Sequence, residues 1–145
     1  MTDVVYLPEA LAKRSLRMGR ALQAGEYRKA KGDALTLARH GHLRAMMVLG
    51  MIHAEDGDLV PAWAWLHLAA HFLDPDRTCD KIRMHTWEYW GDDGPEHLVQ
   101  AVDLRGQIEA EMTKDERSNA FIRSLSLQTD VEKRLLGLHE ASACR

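Results

Sequence analysis

The sequence predicts an all-α protein: a right-handed solenoid of antiparallel helix pairs, with about seven helices. Three observations point there. Apolar residues recur at three- and four-residue spacing in successive short segments. The early segments are each followed by a glycine, the common residue just past a helix end. No alternating apolar–polar run extends beyond four residues, so no strand is expected. At 145 residues the chain has one domain's length. Residues 1–145 read as a single helical-repeat domain, clearest over 27–72 and divergent over the helices of 76–139.

The first helix starts near Leu7 and Pro8, with Leu11, Ser15, Met18 and Leu22 on its apolar stripe and Gly25 as its stop. Lys13, Arg14, Arg17 and Arg20 point mainly elsewhere. A basic amphipathic helix suits a membrane surface or a nucleic acid. Here the stripe is what the next helix needs for a core, and no stacking aromatics interleave the basic residues. Neither partner is expected. The second helix places Tyr27, Ala30, Ala34, Leu37 and Ala38 inward and stops at Gly41. The third uses Ala45, Val48, Leu49 and Ile52, with Gly57 beyond it. The fourth uses Ala62, Trp65, Leu66, Ala69 and Phe72, with Pro61 near its start, where a missing N–H costs least. Small residues on these faces let helix axes approach, and bulky ones opposite fill the gap.

Asp74-Pro75-Asp76 breaks the pattern. A helix from about Asp76 turns Cys79, Ile82, Thr86 and Tyr89 or Trp90 inward and ends at the Gly91-Asp92-Asp93-Gly94-Pro95 turn. The next runs from about Pro95 to Met112, with Leu98, Ala101, Val102, Ile108 and Met112 inward. Thr113-Lys114-Asp115-Glu116 has the form of a capping box. The last helix begins there and uses Ala120, Phe121 or Ile122, and Leu125. Val131, Leu135 and Leu138 continue it past a break expected near Thr129 and Asp130.

One stretch resembles a known family. Ala45-x-x-x-Leu49-Gly50, an acidic glycine-containing loop from Glu55 to Asp58, and Ala62-x-x-Trp65-x-x-x-Ala69-Ala70 are similar to the Sel-one-like repeat. That family is a subclass of the tetratricopeptide-type helical solenoids. Leu37-Ala38-x-x-Gly41 is similar to the end of a preceding unit. The resemblance covers about one repeat and half of another. It departs after Phe72, where Leu73-Asp74-Pro75 stands in place of the glycine that usually opens the next unit. The resemblance implies an adaptor or scaffold that binds a protein or peptide through a helical-repeat groove.

Composition narrows the rest. The chain is 46% hydrophobic and 28% charged, with a net charge of −3. The charge is uneven: +5 over residues 1–45, −9 over 46–112 and +1 over 113–145. Such a dipolar field steers charged partners. No apolar run approaches a membrane span, and MTDVVYLPEALAKR has no basic-then-apolar leader pattern, so a cytoplasmic protein is expected. Cys79 and Cys144 are too few and too far apart for a disulfide framework or zinc knuckle.

Among chemistry-bearing residues, His67 and His71 are four apart and share a helix face, as a two-His metal site requires. Residues 68–70 are Leu-Ala-Ala, so the glutamate of H-E-x-x-H is missing. Neither a G-x-S-x-G elbow nor a phosphate-loop motif is present. The acids beside Cys79 raise a thiol pKa rather than lower it. No enzyme, metal or cofactor is therefore expected. The tryptophans carry more. Trp63 points away from the face of Trp65, and Trp87 and Trp90 share a face beside Tyr89. At least one of the three rings is expected to be partly exposed, and Trp63, Trp87 and Trp90 with Tyr89, Glu55, Asp56, Asp92 and Asp93 are the candidates for an acidic, aromatic contact surface for a basic segment of another protein. Two alternatives stand beside the adaptor: an inhibitor or immunity-type regulator that blocks one partner, and a metal or enzymatic protein using His67 and His71.

Overall fold

The computed structural model describes residues 9–77, 86 and 94–136. Among them are six helices and no strand: α1 Glu9–Gln23, α2 Tyr27–Arg39, α3 Leu43–Glu55, α4 Leu59–Leu73, α5 Gly94–Ala110 and α6 Lys114–Leu136. Of the helix expected over 76–90, only Asp76 and Arg77, which lie in a turn, and Thr86, which is buried, are among the described residues. No helix of the described residues is long and apolar enough to cross a membrane.

The first three helices end by one mechanism. Gly41 has φ 84°, a left-handed conformation that glycine adopts without a Cβ penalty. Its N–H donates to the Ala38 carbonyl at 3.0 Å, and the next N–H, of His42, donates to Leu37 at 3.1 Å. This pair of bonds satisfies the last carbonyls of α2 and reverses the chain within three residues. Gly25 and Gly57 close α1 and α3 with the same two bonds. The three glycines are evenly spaced, and a new helix begins two residues after each. α4 ends differently, at Asp74 in an extended conformation, before Pro75.

Helices α1 to α4 pack in succession. α4 packs in addition on α5 and α6, and α2 touches α6. A helix covered on three sides must be apolar nearly all round. In α4, Ala62, Trp63, Ala64, Trp65, Leu66, Leu68, Ala69, Ala70, Phe72 and Leu73 are all buried. The closest approach is at Gly50 of α3. A Cβ placed there would lie 2.7 Å from Leu66 Cγ and 3.2 Å from the Ala62 carbonyl oxygen. Gly41 is likewise pressed by Leu135 of α6, whose Cδ2 would lie 2.8 Å from an added Cβ.

Polar groups join the layers. Asp33 of α2, 6% exposed, accepts from Arg17 Nε and Nη2 at 2.7 Å each and from Arg14 Nη1 at 3.2 Å. The Arg17 hydrogen bonds hold its carboxyl below the usual range, although burial pushes it up. His42, fully buried, caps α3: its Nδ1 accepts from the Ala45 N–H at 3.1 Å. That ring nitrogen must be unprotonated to accept. Burial, and next the charge of Arg44, lower the ring's pKa from 6.5 to about 4. The capping box at α6 is formed in both directions, Thr113 N–H to Glu116 at 2.9 Å and Glu116 N–H to Thr113 at 3.1 Å.

Some inward assignments are corrected. On α6, Phe121, Ile122 and Leu125 are 50%, 64% and 49% exposed, whereas Ala120, Ser124 and Val131 are fully buried. The small residues face the core because they let α6 lie close to α4. The Ser124 hydroxyl is satisfied by donating to the Phe121 carbonyl at 2.6 Å. α6 also runs unbroken through Thr129 and Asp130. The Thr129 hydroxyl donates to the Leu125 carbonyl, and Asp130 pairs with Arg134 one turn on at 3.2 Å. Tyr27, read as inward, is half-exposed at the first position of α2, and Val102 is partly exposed. Leu98, Ala101, Ile108 and Met112 face the core as expected.

Two predictions follow from the packing and the caps. Gly50→Ala should lower unfolding free energy by about 1–3 kcal/mol through overpacking. Gly32→Ala, at a helical glycine with nothing within 4 Å of its added Cβ, should instead raise it by about 0.5–1 kcal/mol. Urea midpoints of the two variants against wild type check the opposite signs. Because the folded pKa of His42 lies below its unfolded value, the unfolded chain binds the extra proton between about pH 6.5 and 4. Stability is therefore full above pH 6.5 and falls as pH drops through that window, by up to about 1.4 kcal/mol per pH unit. His42→Asn, which keeps a capping oxygen but does not titrate, should reduce that slope in urea titrations across the window, leaving the share of the other histidines whose pKa burial lowers.

Candidate interaction groove

An apolar depression among the described residues is built from four helices. Val48, Met51, Ile52 and Glu55 stand three or four apart along α3, on a face that runs beside the one packed on α4. Leu22 from the end of α1 and Tyr27 from the start of α2 close one side, and Leu104 of α5 closes the other. Together they line a cavity of about 350 Å³. Tyr27 and Met51 are each 49% exposed. The turn at Gly25 delivers Tyr27 to this position, because α2 begins as soon as the chain has reversed.

A second depression, of about 540 Å³, adjoins the first and shares Tyr27, Ile52 and Glu55 with it. Its other walls include Glu26, Arg28, Lys29 and Asp56. Most of its charges are matched within the chain. Lys29 pairs with Glu26, and Lys31 with Asp56 at 3.2 Å. Glu55, where the two depressions meet, has no ion-pair partner among the described residues. The groove thus offers an apolar floor, two half-exposed large side chains and two charges unmatched among the described residues, the Glu55 carboxylate and the Arg28 guanidinium.

The sequence-predicted contact residues divide. Glu55 and Asp56 lie at the groove. Trp87, Tyr89, Trp90, Asp92 and Asp93 lie outside the described residues. Trp63 does not meet the expectation of an exposed ring: it is 9% exposed and belongs to the core of α4. Its ring stacks on His67, centroids 4.6 Å apart and planes within 10°, and the Arg105 guanidinium lies 6.0 Å from its centroid. The helix face opposite Trp65 is covered too, because α4 has neighbours on both sides.

His67 and His71 do share a helix face, as their spacing predicts. Arg105 Nη1 lies 2.8 Å from His67 Nδ1. A guanidinium only donates, so Nδ1 accepts and the ring proton sits on Nε2. Burial first, then Arg105, lower the His67 pKa to about 4, and burial lowers that of His71. Among the described residues no group of three or more His, Cys, Asp or Glu gathers to hold a metal ion.

Sequence reasoning missed Met51 and Leu104 and assigned Leu22, Tyr27 and Val48 to the inward stripes of their helices. A signal was present in α3, where Met46, Met47, Val48, Leu49, Met51 and Ile52 are more apolar residues than one buried face can use. Comparison of the chain with protein-family models, with curated proteins and with solved structures finds no match.

Proposed function

We propose that this chain is a protein–protein interaction module, an adaptor or scaffold, that binds an extended or helical segment of another protein in the groove of α1, α2, α3 and α5. The observation that carries this reading is the half-exposure of Tyr27 and Met51 over an apolar floor, with Glu55 unmatched at its edge. Large apolar side chains held open to water in a concave site supply binding energy when covered. An unmatched carboxylate favours a segment with Lys or Arg beside an apolar anchor. A right-handed solenoid of antiparallel helix pairs is the architecture that goes with this function. It is supported by the successive packing of α1 to α4, by the three evenly spaced glycine stops, and by the resemblance of residues 45–70 to a Sel-one-like repeat. Its expected setting is the cytoplasm, without nucleic acid or membrane as partner.

The test begins with affinity capture from native lysate using the wild-type chain and continues with the captured protein in purified form. Met51→Ala and Tyr27→Ala should each weaken binding by about 2 kcal/mol or more while leaving the urea midpoint within about 0.5 kcal/mol of wild type. Glu55→Lys should mainly slow association, and the difference should shrink at high salt. Wild-type affinity in all three variants would place the contact surface elsewhere on the molecule.

A further inference from the structure

A smaller cavity of about 120 Å³ lies between α4 and α5 and shares no lining residue with the groove. Leu104 faces the groove, and its neighbour Arg105 lines this cavity, so the two sites are separate. The polar lining is His67, His71, Asp74, Arg77 and Arg105. We propose that this cavity binds one small oxyanion, a carboxylate or a phosphate group, between the guanidinium groups of Arg105 and Arg77.

Arg105 is held in place by two contacts that leave its charge unmatched. It donates to His67 Nδ1 at 2.8 Å, and it lies 6.0 Å from the centroid of the Trp63 ring. Neither contact is an anion, and Arg105 has no ion-pair partner among the described residues. Arg77 has one carboxylate, Asp74, at a loose 3.6 Å. His67 is neutral, because its Nδ1 accepts, and its Nε2 carries the proton as a donor. Two guanidiniums against one carboxylate leave the lining with a net positive charge in a partly buried space.

The energetics favour filling it with an anion. Burial lowers the Arg105 pKa from its ordinary value, and the charge of Arg77 lowers it further, while Glu109 acts weakly the other way. An oxyanion between the two guanidiniums would relieve both the desolvation and the mutual repulsion. The hydrogen bond to His67 and the nearby Trp63 ring position the Arg105 fork, whose geometry matches the two oxygens of a carboxylate or phosphate. Size limits the ligand. At about 30 Å³ per water, the cavity has room for about four waters, enough for one such group and not for a nucleotide. Glu132 influences His71 from α6, so the walls are not uniformly positive, and a single oxyanion fits the balance better than a polyanion.

The test follows the side-chain Nε–Hε signals of arginine in the full chain by 1H–15N spectroscopy. Sodium phosphate and sodium acetate are titrated separately, with chloride holding ionic strength constant. The expected result is a saturable shift of the Arg105 signal with phosphate, acetate or both. Tighter acetate binding identifies a carboxylate source, and tighter phosphate binding a phosphate source. Arg105→Gln should weaken the effect, read at Arg77, by about tenfold or more, the loss of one charge-assisted group. Should that variant unfold, Arg77→Gln at the exposed wall of the cavity should weaken the effect read at Arg105 without disturbing the fold. Linear, unsaturated shifts with both anions, or binding unchanged in the folded arginine variant, would overturn the proposal.

Discussion

The contact between α3 and α4 at Gly50 sets the rest of the structure. With no side chain at Gly50, the α3 backbone comes within reach of the Ala62 carbonyl and of Leu66, and the two helices lie close enough to share one core. That approach frees the other faces of α4 for α5 and α6. The composition of α4 follows from this position. It is apolar nearly all round because each face has a neighbour, and it tolerates two tryptophans because both sides of the helix are covered. Close packing also raises the cost of error. A void or an extra methyl at this contact is felt by every helix that leans on α4.

Buried polar groups then fix the arrangement that close packing permits. Asp33 ties α1 to α2 through Arg14 and Arg17. The carboxylate is buried while the guanidiniums reach it from the solvent side, 40% and 65% exposed, so the contact specifies how α1 sits more than it adds net stability. His42 caps α3 from inside the core, where only its neutral form serves. The structure shows His40 Nδ1 2.8 Å from the Thr36 carbonyl, on α2, and gives His42 to the start of the next helix. One turn thus serves two helices. The separation of roles along α5 has the same local origin. Successive side chains on a helix project about 100° apart, so Leu104 and Arg105 reach different sites.

Much of the fold was legible because helices, stops and caps are local. The glycines at 25, 41 and 57, the Thr113–Glu116 capping box and the small faces of α2 and α4 all act over a few residues. What was not legible depends on which faces meet across the chain. Phe121 and Leu125 were read as core because they are large, whereas α6 turns Ala120 and Ser124 inward to come close to α4. Trp63 was a candidate contact residue because Trp65 already used a face of α4, and the covering of the opposite face by distant segments leaves no local signature. The groove was the least legible feature. Tyr27, Met51 and Leu104 come from three helices, and nothing in their own segments says that they meet. Glu55 and Asp56 were found for their charge, although ion pairing leaves only Glu55 unmatched, and that too depends on Lys31 in another helix.

If α4 is the element on which the others depend, its backbone should open only when the whole molecule does. Native-state hydrogen exchange in increasing denaturant measures this directly. The amides of residues 62–72 should exchange with the free energy and denaturant slope of global unfolding, while those of α1, which packs chiefly on α2, should exchange earlier by local opening. Exchange of α4 at the rate of α1, or with a slope well below the global value, would contradict the account.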